Sequence, residues 1–251
     1  MTMVKIISIV SMLFFSCCVS LTNKSNNNEI TGIELKHNFP IIDEKGRLLY
    51  YDTVNTKIYY YKDLTLYQLT YRNDSLFENN LVKSEVRTHY FVHRKNKKFG
   101  YDYDEHKRIF TSKLSADSLF NAEWFNKVNP YQILLFNESV LIASQNNTDS
   151  GELKETYTLK AKGDTSMQGT CILVFKKSFN SSSFSLSKEL DSMKQMKLCK
   201  FELVNNARFM KDKGIYLDKI VQIHTLEKIT NLNFELVKRY FEQYLKDEVE
   251  N

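Results

Sequence analysis

The sequence predicts an α+β domain built mostly of antiparallel β-sheet, with two short helices and a C-terminal amphipathic helix. Three observations predict it. Tyrosine and phenylalanine, both strand formers, are abundant at 15 and 17 of 251 residues. One register of a single hairpin satisfies both faces of the ribbon. A sustained helical stripe occurs only near the end of the chain, so strands do not alternate with long helices as they do in a doubly wound parallel sheet.

Residues 47–52, 57–62 and 65–71 read as an antiparallel meander, broken at 53–56 and at Asp63-Leu64. Its tyrosines occur at both parities, so they read as cross-strand packing rather than as a ligand platform. Residues 84–94 and 98–108 form the hairpin, with Asn96-Lys97 at the turn. Glu85 then faces Arg108, His89 faces Asp104, Tyr90 meets Tyr103 and Val92 meets Tyr101. Such pairs contribute roughly 0.2–1 kcal/mol each, and a slip of one residue breaks them.

Residues 115–125 read as a short helix with Ser115 as cap, ended by Asn129-Pro130. Strands follow at 153–161 and 169–177 around Gly163-Asp164. A second short helix runs over 187–196, capped by Ser187. Residues 197–210 and 215–226 form a further hairpin around 211–214. The last element is a helix over 232–246 with Asn231 as cap. There Leu232, Leu236, Val237, Tyr240, Phe241, Tyr244 and Leu245 form one apolar side.

The start of the chain has a different character. Lys5 gives a positive tip, residues 6–15 are apolar except for Ser8 and Ser11, and a polar tract covers 22–29. This is the layout of a secretory signal. Its apolar run is too short to cross a bilayer as a helix, which takes roughly 20 residues. Leu13-Phe14-Phe15-Ser16-Cys17 resembles the lipobox of bacterial lipoproteins, in which a small residue precedes the cysteine that is diacylated. The resemblance implies a signal over 1–16, lipidation of Cys17 and a flexible tether over 17–30, and the strand pattern that follows reads as one β-rich domain over 31–251. The resemblance also implies a cell-envelope location, anchored in the outer membrane if the source is Gram-negative. Two or three acyl chains hold a protein firmly at about 0.8 kcal/mol per buried CH2. The alternatives are a signal cut after Ser20, giving a soluble secreted protein, and eukaryotic secretion with glycosylation at Asn23, Asn73, Asn137, Asn146 or Asn180.

Removal of Lys5 with the signal lowers the formal charge from +5 to +4, too mild and too dispersed for a nucleic-acid partner. His89 and His93 share the spacing of metal ligands on a helix. On a strand, however, residues four apart are separated by about 13 Å, so no metal is expected. His37, His106 and His224 show no spacing that pairs them. Asp102, Asp104 and Glu105 read as solvated charges. No nucleophile elbow, phosphate loop or dinucleotide fingerprint occurs, and no cofactor is expected. Arg94, Lys95, Lys97 and Lys98 are a candidate contact for anionic lipid or polysaccharide at about 1 kcal/mol per cation. Cys171 and Cys199 share the apolar side of their strands and are a candidate disulfide in an oxidising compartment.

The expected function is a non-enzymatic envelope lipoprotein, a tethered binding or structural module with an envelope lipid, polysaccharide or protein as partner. One alternative is a carrier of a lipid or other apolar ligand, by architectural analogy with carriers of the LolA/LolB kind. The other is an enzyme with dispersed catalytic residues.

Overall fold

The computed structural model of the protein describes residues 29–76, 82–115, 129–161, 164–210 and 214–250. The N-terminal half supplies β1 (Thr31–Ile42), β2 (Leu48–Tyr61), β3 (Leu64–Leu76), β4 (Val82–Arg94), β5 (Phe99–Tyr103) and β6 (Ile109–Ser115). Helix α1 (Pro130–Phe136) precedes β7 (Val140–Asn147), β8 (Glu152–Ala161) and β9 (Asp164–Lys176). Helix α2 (Lys188–Lys194) leads to β10 (Lys197–Asn205), β11 (Arg208–Met210), β12 (Ile215–Leu217) and β13 (Ile220–Lys228), and α3 (Phe234–Glu250) follows. Among the described residues, eleven strands form one antiparallel sheet in the order β6-β5-β4-β3-β2-β1-β13-β10-β9-β8-β7, and β11 and β12 pair as a separate ribbon. The α+β class is therefore the one the sequence predicts.

Strand β1 has no counterpart among the predicted elements, yet it joins the two halves. It pairs with β2 from Thr31–Tyr60 to Ile42–Leu48 and with β13 from Ile33–Lys228 to Asn38–Ile223. Its alternation is clear once paired. Ile33, Leu35 and His37 are buried on one side, and Lys36 on the other bonds Glu227 of β13 at 2.7 Å. Strand β2 runs without a break through 53–56, where a turn was predicted. Thr53, Val54 and Thr56 are β-branched and suit a pleated surface, and Thr56 is fully buried. The turn into β3 uses Lys62-Asp63, with Lys62 at φ 54°.

The predicted register of the β4–β5 hairpin is present, with Tyr90 opposite Tyr103 and Val92 opposite Tyr101. Asn96 takes the left-handed conformation that the turn requires, at φ 68°. The second strand is shorter than predicted. Asp104 folds the chain back, accepting hydrogen bonds at 2.9 Å from the amides of His106 and Arg108 and pairing with the Arg108 guanidinium. Arg108 and Asp104 thus satisfy each other locally instead of facing Glu85 and His89. His89 turns to Asp102, its diagonal neighbour on the same face, with Nδ1 to Oδ2 at 3.1 Å.

Of the helix predicted over 115–125, Ser115 ends β6 and 116–128 lies outside the described residues. Asn129-Pro130 begins a helix rather than ending one. The Asn129 side chain accepts from the amides of Tyr131 and Gln132, and Pro130 occupies the first turn, where its missing N–H costs nothing. Helix α2 is capped by Ser187 as predicted and closes on Gln195 in the left-handed region. The predicted hairpin over 197–226 is interrupted, with β10 pairing β13 and β11 pairing β12. The cap of α3 is Asn233, not Asn231, because its side chain accepts from Leu236 N at 3.2 Å. Asn233→Ala is expected to cost about 1 kcal/mol in urea denaturation, with Asn231→Ala unchanged.

The two faces of the sheet are covered differently. Tyr59, Leu66, Tyr90, Val92, Tyr101 and Tyr103 pack against Val237, Tyr240, Phe241 and Tyr244 of α3. The opposite face carries two contiguous clusters. One, on β8–β10, packs against α1 and α2. The other, on β1–β4 and β13, is roofed by Phe179, Phe184 and Leu186 of the β9–α2 connection.

Candidate functional site

This second cluster is the candidate site. Its register makes a grid, since directly paired residues share a face. One row is Ile33–Ile58–Tyr67–Phe91, and the next is Leu226–Leu35–Thr56–Leu69. Beyond it lies Phe201–His224–His37–Val54, and at the opposite end lies Tyr60–Thr65–His93. The floor is aliphatic and aromatic, with Leu35, Ile58 and Phe91 fully buried. Tyr67, Phe91 and His93 stand within 6.3 Å of one another by ring centroids.

Polar atoms are set into this floor. Among the described residues, Thr56 Oγ1, Tyr60 Oη, Ser182 Oγ and His224 Nε2 are buried and make no hydrogen bond. Three rise from the sheet, and Ser182 belongs to the connection above it. Native interiors pair nearly all such groups, and each unpaired one costs about 1–3 kcal/mol. Their concentration on one apolar face is what marks it as a site.

His37 and His224 are direct cross-strand partners, with ring centroids 5.3 Å apart at 60°, and are only 3% and 5% exposed. The Phe201 ring lies 5.5 Å from His224 on the other side. Burial holds both imidazoles below their ordinary proton affinity. His37 is partly rescued by the Asp52 charge, while His224, further opposed by His37, is driven down to about 4. Both rings are neutral at pH 7. At the β4–β5 end, burial raises the Asp102 carboxyl, and its hydrogen bond to His89 works against that rise. In the neighbouring cluster, buried Glu155 is held by Lys194 at 2.6 Å and by the Tyr157 hydroxyl at 2.9 Å.

The residues singled out by sequence fall elsewhere. Cys17 lies outside the described residues. Arg94 is not available to an outside anion, because it bridges Asp63 of the neighbouring turn and Glu248 of α3, the latter at 2.7 Å. Lys95, Lys97 and Lys98 are exposed at the hairpin tip. Cys171 and Cys199 are buried free thiols, not a disulfide. Cys171 faces Leu203, whereas Cys199 lies in the bulge between Leu198 and Lys200, four residues back along β10. That offset is about 13 Å, beyond the roughly 7 Å a bridge allows. Parity placed both on strands with apolar sides, but register keeps them apart. Burial pushes both thiols up to about 12, so neither is nucleophilic. Peptide-resolved alkylation should label both in denaturant without reductant and neither in the native protein.

His37 and His224 escaped sequence reasoning because their proximity depends on β1 pairing with β13. Among the described residues, no group of three or more His, Cys, Asp or Glu could hold a metal ion. No helix there is long and apolar enough to cross a membrane.

No protein-family model matches the chain, and no curated protein matches it. Among solved structures, a LolA superfamily protein from Nitrosomonas europaea is similar at 9% identity and TM-score 0.19, covering 83% of this chain and 90% of that one. A domain assigned as an outer membrane lipoprotein-sorting protein from Vibrio parahaemolyticus is similar at 10% identity and TM-score 0.22, covering 85% and 92%.

Proposed function

We propose that the protein is an exported cell-envelope protein that binds an apolar ligand against the β1–β4/β13 face, tethered to a membrane through acylated Cys17. The observation that carries the binding reading is the set of unpaired polar atoms embedded in a continuous apolar surface. An apolar body would take the place of the Phe179, Phe184 and Leu186 roof over Leu35, Ile58, Leu69 and Phe91, while a few polar atoms of the ligand would meet Thr56, Tyr60, Ser182 and His224. This composition, largely apolar with a few polar groups set along it, is that of an elongated small-molecule site. A plain structural module would be expected to fill the same positions with apolar side chains, since paired replacement is close to neutral in stability.

The test is fluorescence titration of the mature protein with N-phenyl-1-naphthylamine. Saturable enhancement, abolished by Ile58→Trp in a variant that still melts cooperatively, is the expected result. Absence of saturable binding by the folded protein overturns the carrier reading. The anchor is tested separately by mass spectrometry of the mature N-terminus, where acyl mass on Cys17 is expected and an unmodified start at Leu21 overturns it.

A further inference from the structure

We infer that the polar end of the ligand is seated at the His37–His224 pair and is an uncharged hydrogen-bonding group, so that the ligand is an acyl ester rather than a free fatty acid. This rests on the binding reading above and specifies its substrate class.

The position follows from the grid. His224 Nε2 is an unpartnered polar atom set beside an apolar run. Phe201 and Leu173 lie beyond it along the row, and Leu226 and Leu35 lie in the adjoining row. Thr56, 1% exposed with its hydroxyl unpaired, lies one row away on β2. A polar group at the pair could therefore reach both strands, with its apolar tail lying toward Ile58, Tyr67 and Phe91.

The absence of charge on that group follows from what faces the pair. From β1 and β13 the facing groups are the two imidazoles themselves. From β2 they are Val54 and, one residue pair further on, Asp52. From β10 the facing group is Phe201, with Leu203 and its partner Gln222 beyond. The roof over the adjoining cluster of Leu35 and Leu226 brings Phe179, Phe184 and Leu186, none of them charged. Lys228 shares the face, but lies two rows away with its ammonium 5.5 Å from the Phe179 ring centroid. Glu155, behind Leu173, is already bonded to Lys194 and Tyr157. Among the described residues, the charge closest in register is thus the Asp52 carboxylate, which repels a second one. A buried anion needs a paired cation, and burial keeps both imidazoles neutral. A neutral imidazole presents one donor and one acceptor, which suits an ester carbonyl or a glycerol hydroxyl.

The experiment is displacement of bound N-phenyl-1-naphthylamine at pH 7.5 by decanoic acid and by its glycerol monoester, on wild type, His224→Phe and His224→Gln. Wild type is expected to favour the monoester by at least tenfold. With each displacement referenced to the variant's own fluorophore affinity, His224→Phe should narrow that preference to under threefold, and His224→Gln, which keeps a hydrogen-bonding group, should retain most of it. Equal or tighter displacement by decanoic acid from wild type overturns the inference. So does a preference that survives intact in His224→Phe, or one that is lost in a folded His224→Gln. Failure of wild type to bind the fluorophore at all overturns instead the binding reading on which the inference rests.

Discussion

Tyr240→Ala is expected to destabilise the protein by about 3–5 kcal/mol, the range for removing a large aromatic side chain from a core. Tyr240 is fully buried at the centre of α3 and stacks on Tyr90 with ring centroids 4.1 Å apart. Its hydroxyl donates to the carbonyl of Asp104 at 3.0 Å, tying the helix to the β5–β6 turn. The alanine variant loses the stack, the burial and that bond together. Tyr240→Phe separates them, losing only the hydroxyl contact, and should cost about 1–2 kcal/mol. Deleting residues 234–250 should go further and expose Tyr59, Leu66, Tyr90, Val92, Tyr101 and Tyr103 at once, producing aggregation. Urea denaturation of the two point variants and light scattering of the truncation are the measurements. A soluble truncation as stable as the full chain would make α3 an appendage rather than half of a core.

The second large effect is on acid stability. His224 binds a proton at about pH 4 in the folded protein, because burial and the facing His37 both oppose its charge. In the unfolded chain it titrates near 6.5. The unfolded state therefore binds the proton more tightly. Stability is fully present above about pH 6.5 and is lost as pH falls toward 4. At about 1.4 kcal/mol for each pH unit between the two affinities, the loss reaches roughly 3 kcal/mol. His37, also lowered, adds to it in the same direction, with Asp52 moderating the effect. Thermal melts of wild type should fall steeply between pH 6.5 and 4. His224→Phe, with a ring that cannot charge beside Phe201, should flatten that fall, and an unchanged slope would contradict the burial argument.

What could be read in advance divides along the range of the interactions. The β4–β5 register was legible because Tyr90–Tyr103 and Val92–Tyr101 lie close in sequence and match on one face. Helix α3 was legible from its apolar stripe, although its cap was misplaced because Asn231 and Asn233 offer the same chemistry two residues apart. Strand β1 was not legible. Residues 31–42 alternate, but their meaning depends on β13, and Pro40 near their end weakens a strand reading. The candidate site inherits that difficulty. His37 and His224 have no informative spacing, Thr56 fell in a predicted turn, and Tyr60 resembled any other meander tyrosine. Cys171 and Cys199 show the converse error. Facing could be inferred from parity, whereas distance required the register that sets Cys171 opposite Leu203.

The seam between β1 and β13 also bears on how the chain acquires its structure. Lys36 and Glu227 are 191 positions apart and lie across neighbouring strands. Contacts of such separation raise contact order and slow folding. If the chain crosses the membrane from its N-terminus, β1 emerges early, pairs locally with β2, and then waits with its other edge uncovered until β13 has followed. An unpaired edge of that kind is a template for intermolecular strand addition. The early half should therefore depend on a holdase until the late half arrives, and a circular permutant that brings β1 and β13 together in sequence should refold faster and aggregate less.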